Sequence, residues 1–291
     1  MKLIIGIIAV FASIVGGYLM EGGHIMALYQ PAELLIIGGA VVGAFLIANP
    51  LHVIKTVTAK LPTLLQDSPY NKQSYMDVLG LMYTMFSKVR KDGVIAIERE
   101  IDNPKESAIF NEFPNILKNH HAVAFICDYF RLMVNGNMNV FEIENMMDVD
   151  LESHHEALHS PVSALTTMAD ALPAFGIVAA VMGVVITMGA IGGAVEILGH
   201  KVAAALVGTF LGILLSYGVV SPIAAALNSR VEDEARFYTC IKTCFIASMN
   251  GYPPQICAEF GRMSLLPHVR PDFLELETYV KERAKLVKKP A

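Results

Sequence analysis

The chain has 291 residues, of which 54% are hydrophobic and only 17% are charged, and its mean hydropathy is +0.49. This composition is far more apolar than that of soluble globular proteins and indicates a protein embedded in a lipid bilayer. The formal net charge is −5, and no basic stripe with interleaved aromatic residues occurs. The sequence therefore indicates no nucleic-acid partner.

Four apolar runs are long enough to cross about 30 Å of hydrocarbon as helices. They are Leu3–Met20, Leu34–Leu51, Pro173–Ile191 and Val202–Leu227. The first run has only Lys2 ahead of it and no small-residue cleavage site after it, so we interpret it as a retained span rather than a signal peptide. We predict an all-α membrane protein with four transmembrane helices and a helical cytoplasmic domain.

The placement of basic residues predicts the orientation of the spans. The loop of residues 21–31 has no Lys or Arg and the turn of residues 192–201 has only Lys201, whereas the loop 53–172 and the tail after residue 227 have ten each. Basic residues collect on the cytoplasmic side, so we expect both termini to be cytoplasmic. The predicted domains are a first transmembrane hairpin (1–52), a cytoplasmic helical domain (53–168), a second transmembrane hairpin (169–227) and a cytoplasmic helical tail (228–291).

The cytoplasmic segments are expected to be helices separated by breakers, with no convincing alternating strand pattern. The predicted helices are Leu51–Leu65, Asn71–Lys91, Val94–Ile101, Ile116–Val134, Phe141–His159, Asn228–Met249 and Phe273–Lys285, and Val287–Ala291 is expected to fray. All four cysteines fall on the cytoplasmic side, where thiols stay reduced, and we interpret them as buried structural thiols. They are Cys127, Cys240, Cys244 and Cys257.

The second hairpin has a regular spacing of prolines and threonines. Thr187 follows Pro173 by 14 residues, and Thr209 precedes Pro222 by 13. At about 1.5 Å per residue, both threonines would lie roughly 20 Å from the prolines, which predicts two matched polar levels. Such a wall could line an ion path, because threonine hydroxyls can interact with a passing water or ion and prolines leave backbone carbonyls unpaired. Alternatively, these are ordinary helix-end prolines and threonines bonded to their own preceding turn.

An ion path of this kind needs a titratable group within the membrane. In this sequence Glu33 and Asp170 are expected only at the edges of spans, on opposite faces of the membrane. The hairpin thus has a polar wall but no titratable residue of its own. We therefore expect a partner helix to supply the carboxylate that binds the ion.

Two charged motifs lie outside the spans. His155 to His159 matches the H-E-x-x-H pattern of zinc proteases, but Pro161 follows at once and no third ligand follows at the required spacing. We expect no metal site, and we interpret His154, His155 and His159 as part of a solvated helix face. Arg90 and Glu98 belong to a mixed-charge cluster around a turn at Asp92-Gly93, which is either a solvated corner or a surface that reads charges on another protein.

Three stretches resemble one known family. LPAFGIVAAVMGVV at Leu172–Val185 and VGTFLGILLSYGVVSPIA at Val207–Ala224 resemble the third and fourth spans of the MotA family of flagellar motor stator subunits, within the MotA/TolQ/ExbB proton channel superfamily. KVRKDGVIAIEREIDNP at Lys88–Pro104 resembles that family's rotor-facing segment. The order of spans, loop and tail agrees as well. The resemblance implies a multi-pass protein of the bacterial inner membrane.

The resemblance also implies partners and residue roles. MotA subunits form a homo-oligomeric ring, a pentamer in the family, around the helix of MotB, whose aspartate binds the ion. Pro173 and Pro222 would couple ion passage to movement, and Arg90 and Glu98 would engage the rotor protein FliG.

The family's pore threonine corresponds to Thr209. Sodium-driven relatives carry a second threonine at the position of Ala180, so Ala180 favours protons, and Thr187 lies two turns beyond it. The resemblance implies neither an enzyme nor a cofactor. The alternatives are an ExbB/TolQ-type energiser of outer-membrane processes and, more distantly, an H-E-x-x-H zinc protease.

Overall fold

The computed structural model describes residues 2–136, 139–189 and 195–286, and no β-strand occurs in these ranges. The α-helices are α1 (Lys2–Met20), α2 (Ile25–Leu28), α3 (Pro31–Ala48), α4 (Leu51–Lys60), α5 (Lys72–Asp92), α6 (Glu98–Asp102), α7 (Ala108–Asn111), α8 (Pro114–Lys118), α9 (His120–Asn135), α10 (Val140–Met188), α11 (Val195–Leu215), α12 (Ser221–Met249), α13 (Pro254–Met263) and α14 (Phe273–Leu286). Short 3-10 helices cover Leu61–Leu65 and Val94–Ile97, and a π-helical turn covers Ser216–Val220.

Four helical segments are long and apolar enough to cross a membrane, which confirms the predicted fold class. They are Lys2–Met20, Ile25–Ala48, Val140–Met188 and Lys201–Met249. The predicted turn between the third and fourth spans falls partly on residues 190–194, and the predicted frayed end falls on residues 287–291. Both of these lie outside the described residues.

The largest departure from the predicted helices is α10, which runs for 49 residues through Pro161 and Pro173. We predicted a helix that stops at His159 and a separate span that starts at Pro173. Each proline removes only one backbone hydrogen bond from the helix interior, so a long helix that is packed on both sides of the proline can continue. The predicted helix Ile116–Val134 is instead divided at Asn119 into α8 and α9.

The chain folds into two compact units, one of residues 1–67 and 156–230 and the other of residues 68–155 and 231–291. Each unit joins segments that are distant in sequence. The predicted boundaries after residues 52 and 168 lie inside the first unit, because α4 and the part of α10 from residue 156 belong to it.

The first unit contains the membrane-spanning segments. A stripe on α3, made of Glu33, Ile37 and Val41, is buried, and Ile37 and Val41 cluster with Leu172 and Ala179 of α10. By contrast, α1 has no buried side chain although it is almost entirely apolar, and its main contacts within the chain are with residues 61–65 and 216–220. An apolar helix that buries so little within its own chain needs lipid or another subunit around it.

The second unit has a hydrophobic core built on α5. Phe86 of α5 packs edge-on against Phe245 at a centroid distance of 5.5 Å, and α5 also packs along α13 and α14. All four cysteines are buried in this core as free thiols, which agrees with the predicted structural role. Burial raises the pKa of the Cys127 thiol to about 12, so this thiol stays protonated and unreactive at neutral pH.

Asp77 of α5 forms the centre of a polar network within this core. Its carboxylate, only 3% exposed, accepts hydrogen bonds from Gln73 at 2.8 Å, from the Tyr279 hydroxyl at 2.6 Å and from Asn115 at 2.8 Å. Three elements, α5, α8 and α14, therefore share one buried carboxylate. Such a network stabilises the fold when all of its members are satisfied.

Candidate functional site

The two helices of the second hairpin pack through glycines. A methyl group on Gly212 would lie 2.7 Å from the carbonyl oxygen of Leu172, and one on Gly176 would lie 3.1 Å from the Cα atom of Gly212. Further along the pair, a methyl group on Gly183 would lie 2.9 Å from the Cα atom of Ala205. Small residues allow such close backbone approach between membrane helices. These contacts therefore fix the register between α10 and α11.

This register differs from the one predicted from the proline spacing. Thr209 lies beside Gly176, because a methyl group on Gly176 would be 3.4 Å from the Thr209 Cα atom. Thr187 lies eleven residues beyond Gly176, about 16 Å further along α10. The prediction of two matched polar levels is therefore wrong, because the glycine contacts determine how α10 and α11 align, and equal distances from the prolines do not. Thr209 instead lies at the level between Pro173 and Ala180.

Pro173 has a specific partner in the opposite helix. Because proline has no N–H group, the carbonyl of Ala169, four residues earlier, has no intrahelical donor. The Ser216 hydroxyl, which is 1% exposed, donates a 2.6 Å hydrogen bond to that carbonyl. A buried side chain of the fourth span thus satisfies the backbone group that the proline of the third span leaves unpaired. Sequence reasoning missed Ser216 because the pairing depends on the register.

Pro222 lies directly after an irregular turn. The π-helical turn of residues 216–220 precedes it, and the proline itself is exposed at the beginning of α12. A proline here would leave the carbonyl of Gly218 without its usual donor, and π-helical turns and prolines are recognised places where helices adjust and bend. Both prolines therefore mark departures from regular helical hydrogen bonding in the same hairpin.

The two candidate threonines differ in their hydrogen bonds. Thr187 is 4% exposed, and its hydroxyl donates a 2.7 Å hydrogen bond to the carbonyl of Gly183 one turn earlier. Thr209 is half-buried, and its hydroxyl makes no hydrogen bond to any residue that the structure describes. Ala180 is half-buried at the same level. Thr209 therefore has a hydroxyl available for an ion, a water or a partner side chain, whereas the donor of Thr187 is already engaged.

Glu33 differs most from its expected position. We predicted it at the edge of a span, but the side chain is 7% exposed and packs between spans. Its Oε2 atom lies 2.8 Å from the place that a methyl group on Gly208 would take. Gly208 lies seven residues along α11 from Lys201, or about 10 Å further into the apolar run. The first hairpin therefore brings a carboxyl group to the level of Thr209.

Arg90 and Glu98 lie in the second unit at the end of α5 and the beginning of α6. Both are exposed, and neither forms an ion pair with any residue in the described ranges. A tight turn at Gly93, with φ of +88°, separates them, and this left-handed conformation is one that glycine adopts easily. Ile95 on the same turn is 74% exposed. The corner thus presents two opposite charges and an apolar side chain to solvent.

The neighbouring charges hold this corner in place. Lys88 and Glu100 form a 2.6 Å ion pair that is mostly buried, and Ser107 also donates to Glu100. Burial opposes ionisation of Glu100, but the hydrogen bonds from Lys88 and Ser107 outweigh it and lower the pKa of the carboxyl. Lys88 and Glu100 therefore have a structural role, whereas Arg90 and Glu98 are, like Lys91 and Arg99, exposed and open to a partner.

The H-E-x-x-H histidines lie on α10, and the helix is intact around them. In the second unit His154 is half-buried, because its ring stacks on His121 with centroids 4.1 Å apart and its Nε2 atom lies 3.3 Å from Glu234. The solvated face predicted for this stretch is therefore wrong for His154, since α10 packs against α9 and α12 there. Burial, and then the nearby His154, lower the pKa of His121. The described residues contain no group of three or more ligands placed for a metal.

The fold and this hairpin agree with one class of membrane protein. Residues 118–239 match the model of the MotA/TolQ/ExbB proton channel family, and residues 4–93 match the model of the motility protein A N-terminal region. The second hairpin, with its threonine, prolines and glycine packing, lies mostly within the first of these matches. The molecule is therefore a channel-type membrane protein of this superfamily.

Curated relatives narrow the class. The chain is 46% identical to motility protein A of Salmonella typhimurium and 45% identical to motility protein A of Escherichia coli, in both cases over 97% of this chain and 95% of the relative. It is 33% identical to the chemotaxis protein LafT of Vibrio parahaemolyticus over 97% of this chain and 99% of the relative. The chain belongs to the motility protein A family.

Solved structures support the same fold. MotAB of C. jejuni matches with a TM-score of 0.76 and 18% identity, covering 91% of this chain and 96% of the matched chain. The flagellar MotAB stator complex of Bacillus subtilis matches with a TM-score of 0.71 and 23% identity, covering 88% of this chain and 92% of the matched chain. Both likenesses extend through nearly the whole chain, so the resemblance predicted from three short stretches is confirmed along its length.

Proposed function

We propose that this chain is a flagellar motor stator subunit that surrounds a MotB-like partner and, with it, conducts protons to generate torque on the rotor. The observation that carries the proposal is the second hairpin. It places the Thr209 hydroxyl, which makes no hydrogen bond to any described residue, beside two proline-associated irregularities in a closely packed helix pair. The identity to curated motility proteins over nearly the whole chain supports the same function.

The chain needs other subunits to complete a channel. One face of α10 leaves Ile177, Val181, Val184 and Val185 at least half exposed, and α1 has no buried side chain. These surfaces fit lipid, further copies of the chain in a ring, and a central partner helix. The structural neighbours are MotAB complexes, and we propose that a MotB-like partner joins this chain too and supplies the aspartate that binds the ion.

Ion passage would act on the wall as follows. A proton passes Thr209 and neutralises the partner's carboxylate, which changes how that group fits against the wall at Pro173 and Pro222. The ring then steps relative to the partner, and Arg90 and Glu98 press on charges of a FliG-like rotor protein. The cycle moves a proton and makes or breaks no covalent bond between heavy atoms. Both termini and the charged corner are placed in the cytoplasm in this proposal.

The experiment that tests the channel wall compares two threonines. Thr209→Val, which removes the hydroxyl at nearly constant shape, should lower swimming speed and proton flux several-fold, and Thr209→Ser should retain most of both. Thr187→Val is the matched control, and it should have a smaller effect because that hydroxyl is already bonded to Gly183. Equal losses in Thr209→Val and Thr187→Val, with normal membrane insertion, would contradict the assignment of Thr209 to the path.

The nature of the ion is tested in intact cells. Because alanine rather than threonine occupies position 180, we expect swimming to stop when a protonophore collapses the proton gradient and to continue when sodium is replaced by potassium. Swimming that survives the protonophore but depends on sodium would contradict the proton assignment and leave the stator assignment intact.

A further inference from the structure

We propose that Glu33 is a proton-binding residue of the ion path, a second carboxyl group that receives protons before the partner's carboxylate does. This inference rests on the proposed function, since it adds a step to the same channel. It assigns the step to the first hairpin, which otherwise has only a packing role. The proton travels from water to the Glu33 carboxylate and then to the partner's carboxylate, which restores the charge on Glu33.

Glu33 is buried, and its Oε2 atom has no hydrogen-bond donor among the described residues. Only 7% of the side chain is exposed. A buried carboxylate without a donor is strongly unfavourable, whereas a protonated carboxyl group, or one that exchanges its proton with water, is tolerated. The site therefore suits a group that binds and releases a proton rather than a permanent charge.

Glu33 also lies against the proposed channel wall. Its Oε2 atom faces Gly208, the residue before Thr209, and a methyl group at Gly208 would also lie 3.3 Å from the backbone nitrogen of Ala180. The carboxyl group, the free hydroxyl and the predicted ion-selecting position thus share one level of the hairpin. A side chain at position 208 would displace the carboxyl oxygen, so glycine is what gives Glu33 its place here.

Among the side chains that the structure describes on α10 and α11, no other titratable group lies beside Glu33. Gly208 faces the Glu33 carboxyl group, Ala179 and Ala180 lie beside Gly208, and none of the three titrates. The nearest charges on the packed helices are Lys201, about 10 Å away along α11, and Asp170, about 14 Å away along α10 and exposed.

On its own side of α3, the segment that precedes Glu33 carries the titratable residues Glu21, His24 and Tyr29. All three are exposed. This segment is the outer loop in the proposed topology, so Glu33 is the first buried acid that a proton entering from outside would meet.

The test compares Glu33→Gln, which keeps the size and polarity but cannot titrate, with Glu33→Asp, which can. The exposed carboxylate Glu21, changed to Gln, is the matched control. Torque for each assembled stator is measured against external pH at constant internal pH, and the number of stators at the motor is counted with a fluorescent fusion.

We expect Glu33→Gln to lower the torque of each stator several-fold at neutral and alkaline external pH, and the loss to shrink as external protons become abundant. Glu33→Asp should retain the wild-type pH dependence, as should Glu21→Gln. In the purified complex, infrared difference spectra between acidic and alkaline buffer should contain a protonated-carboxyl band that Glu33→Gln removes.

Two outcomes would overturn the proposal. One is a Glu33→Gln motor with wild-type torque at every external pH, which would leave the stator function intact. The other is a loss in Glu33→Gln and Glu33→Asp alike that comes only from fewer assembled stators, which would make Glu33 a packing residue. Failure of the stator proposal itself is separate, because cells that lack the gene would then still swim.

Discussion

At the scale of single residues, the structure separates charges that hold the fold from charges that are free to bind a partner. Lys88 and Glu100 are paired and mostly buried, whereas Arg90 and Glu98 are exposed and have no ion-pair partner among the described residues. All four lie within one stretch of thirteen residues in the sequence. The sequence predicted a rotor contact for Arg90 and Glu98. Only the packing shows that Lys88 and Glu100 are engaged with each other and do not share that role.

This distinction predicts the effect of charge reversal. Arg90→Glu and Glu98→Lys should each reduce swimming without changing membrane insertion, because the variants present the wrong charge to the rotor. A compensating reversal in the rotor protein should restore part of the speed, as measured by tracking free-swimming cells.

The control for these reversals is Lys118→Glu, since Lys118 is exposed and lies in α8, outside the charged corner. It should swim normally. Normal swimming by the double variant of Arg90 and Glu98 would instead contradict the proposed rotor contact.

At the scale of elements, glycine positions decide how the spans pack. Three small-residue pairs were visible in the sequence, at residues 39 and 43, 189 and 193, and 208 and 212. In the last pair, Gly208 and Gly212 make close contacts, whereas Gly39 and Gly43 have open space around them within this chain and Gly193 lies outside the described residues. The spacing alone could not distinguish these cases, because it does not say which helix lies opposite.

The glycine contacts predict a packing defect. Gly212→Ala would place a methyl group 2.7 Å from the Leu172 carbonyl oxygen and 2.9 Å from the Cα atom of Gly176, so the helices must separate at a cost of about 1–3 kcal/mol. We expect a lower thermal unfolding midpoint of the detergent-purified protein. Gly43→Ala has room for its methyl group and should leave the midpoint unchanged. An unchanged midpoint in Gly212→Ala would mean that the α10–α11 register is wrong.

The polar network of the second unit makes a prediction about stability. Asp77→Ala leaves the Tyr279 hydroxyl and the Asn115 amide without their acceptor, so we expect the free energy of unfolding to fall by about 3 kcal/mol. Tyr279→Phe should lower it by about 1 kcal/mol. Hydrogen exchange of the α5 and α14 amides in the purified full-length chain measures both. Glu106→Ala, at an exposed site, should have no effect. Equal protection of these amides in Asp77→Ala and in the wild type would contradict a stabilising role for the network.

At the scale of the whole molecule, the sequence predicted the class of fold well and the register poorly. The spans were visible because a membrane helix must satisfy its own backbone and be apolar for about 20 residues. The unbroken α10 was not visible, since Pro161 and Pro173 are local signals that longer-range packing overrides.

The position of Glu33 could not be predicted for a similar reason. From the sequence, a single acidic residue in the first turn of α3 is expected at the edge of a span. Only the packing of the neighbouring helices shows that Glu33 lies at the level of Thr209. The same limit explains Ser216, whose hydrogen bond to the Ala169 carbonyl depends on a register that no local pattern encodes.

Deletion of the gene in the native bacterium tests most directly whether this chain converts ion flow into rotation. We expect cells that still carry flagellar filaments but do not rotate them, with swimming restored by the wild-type gene and not by a variant that lacks Pro173. Cells that swim normally without the gene, or that lose their filaments, would contradict it.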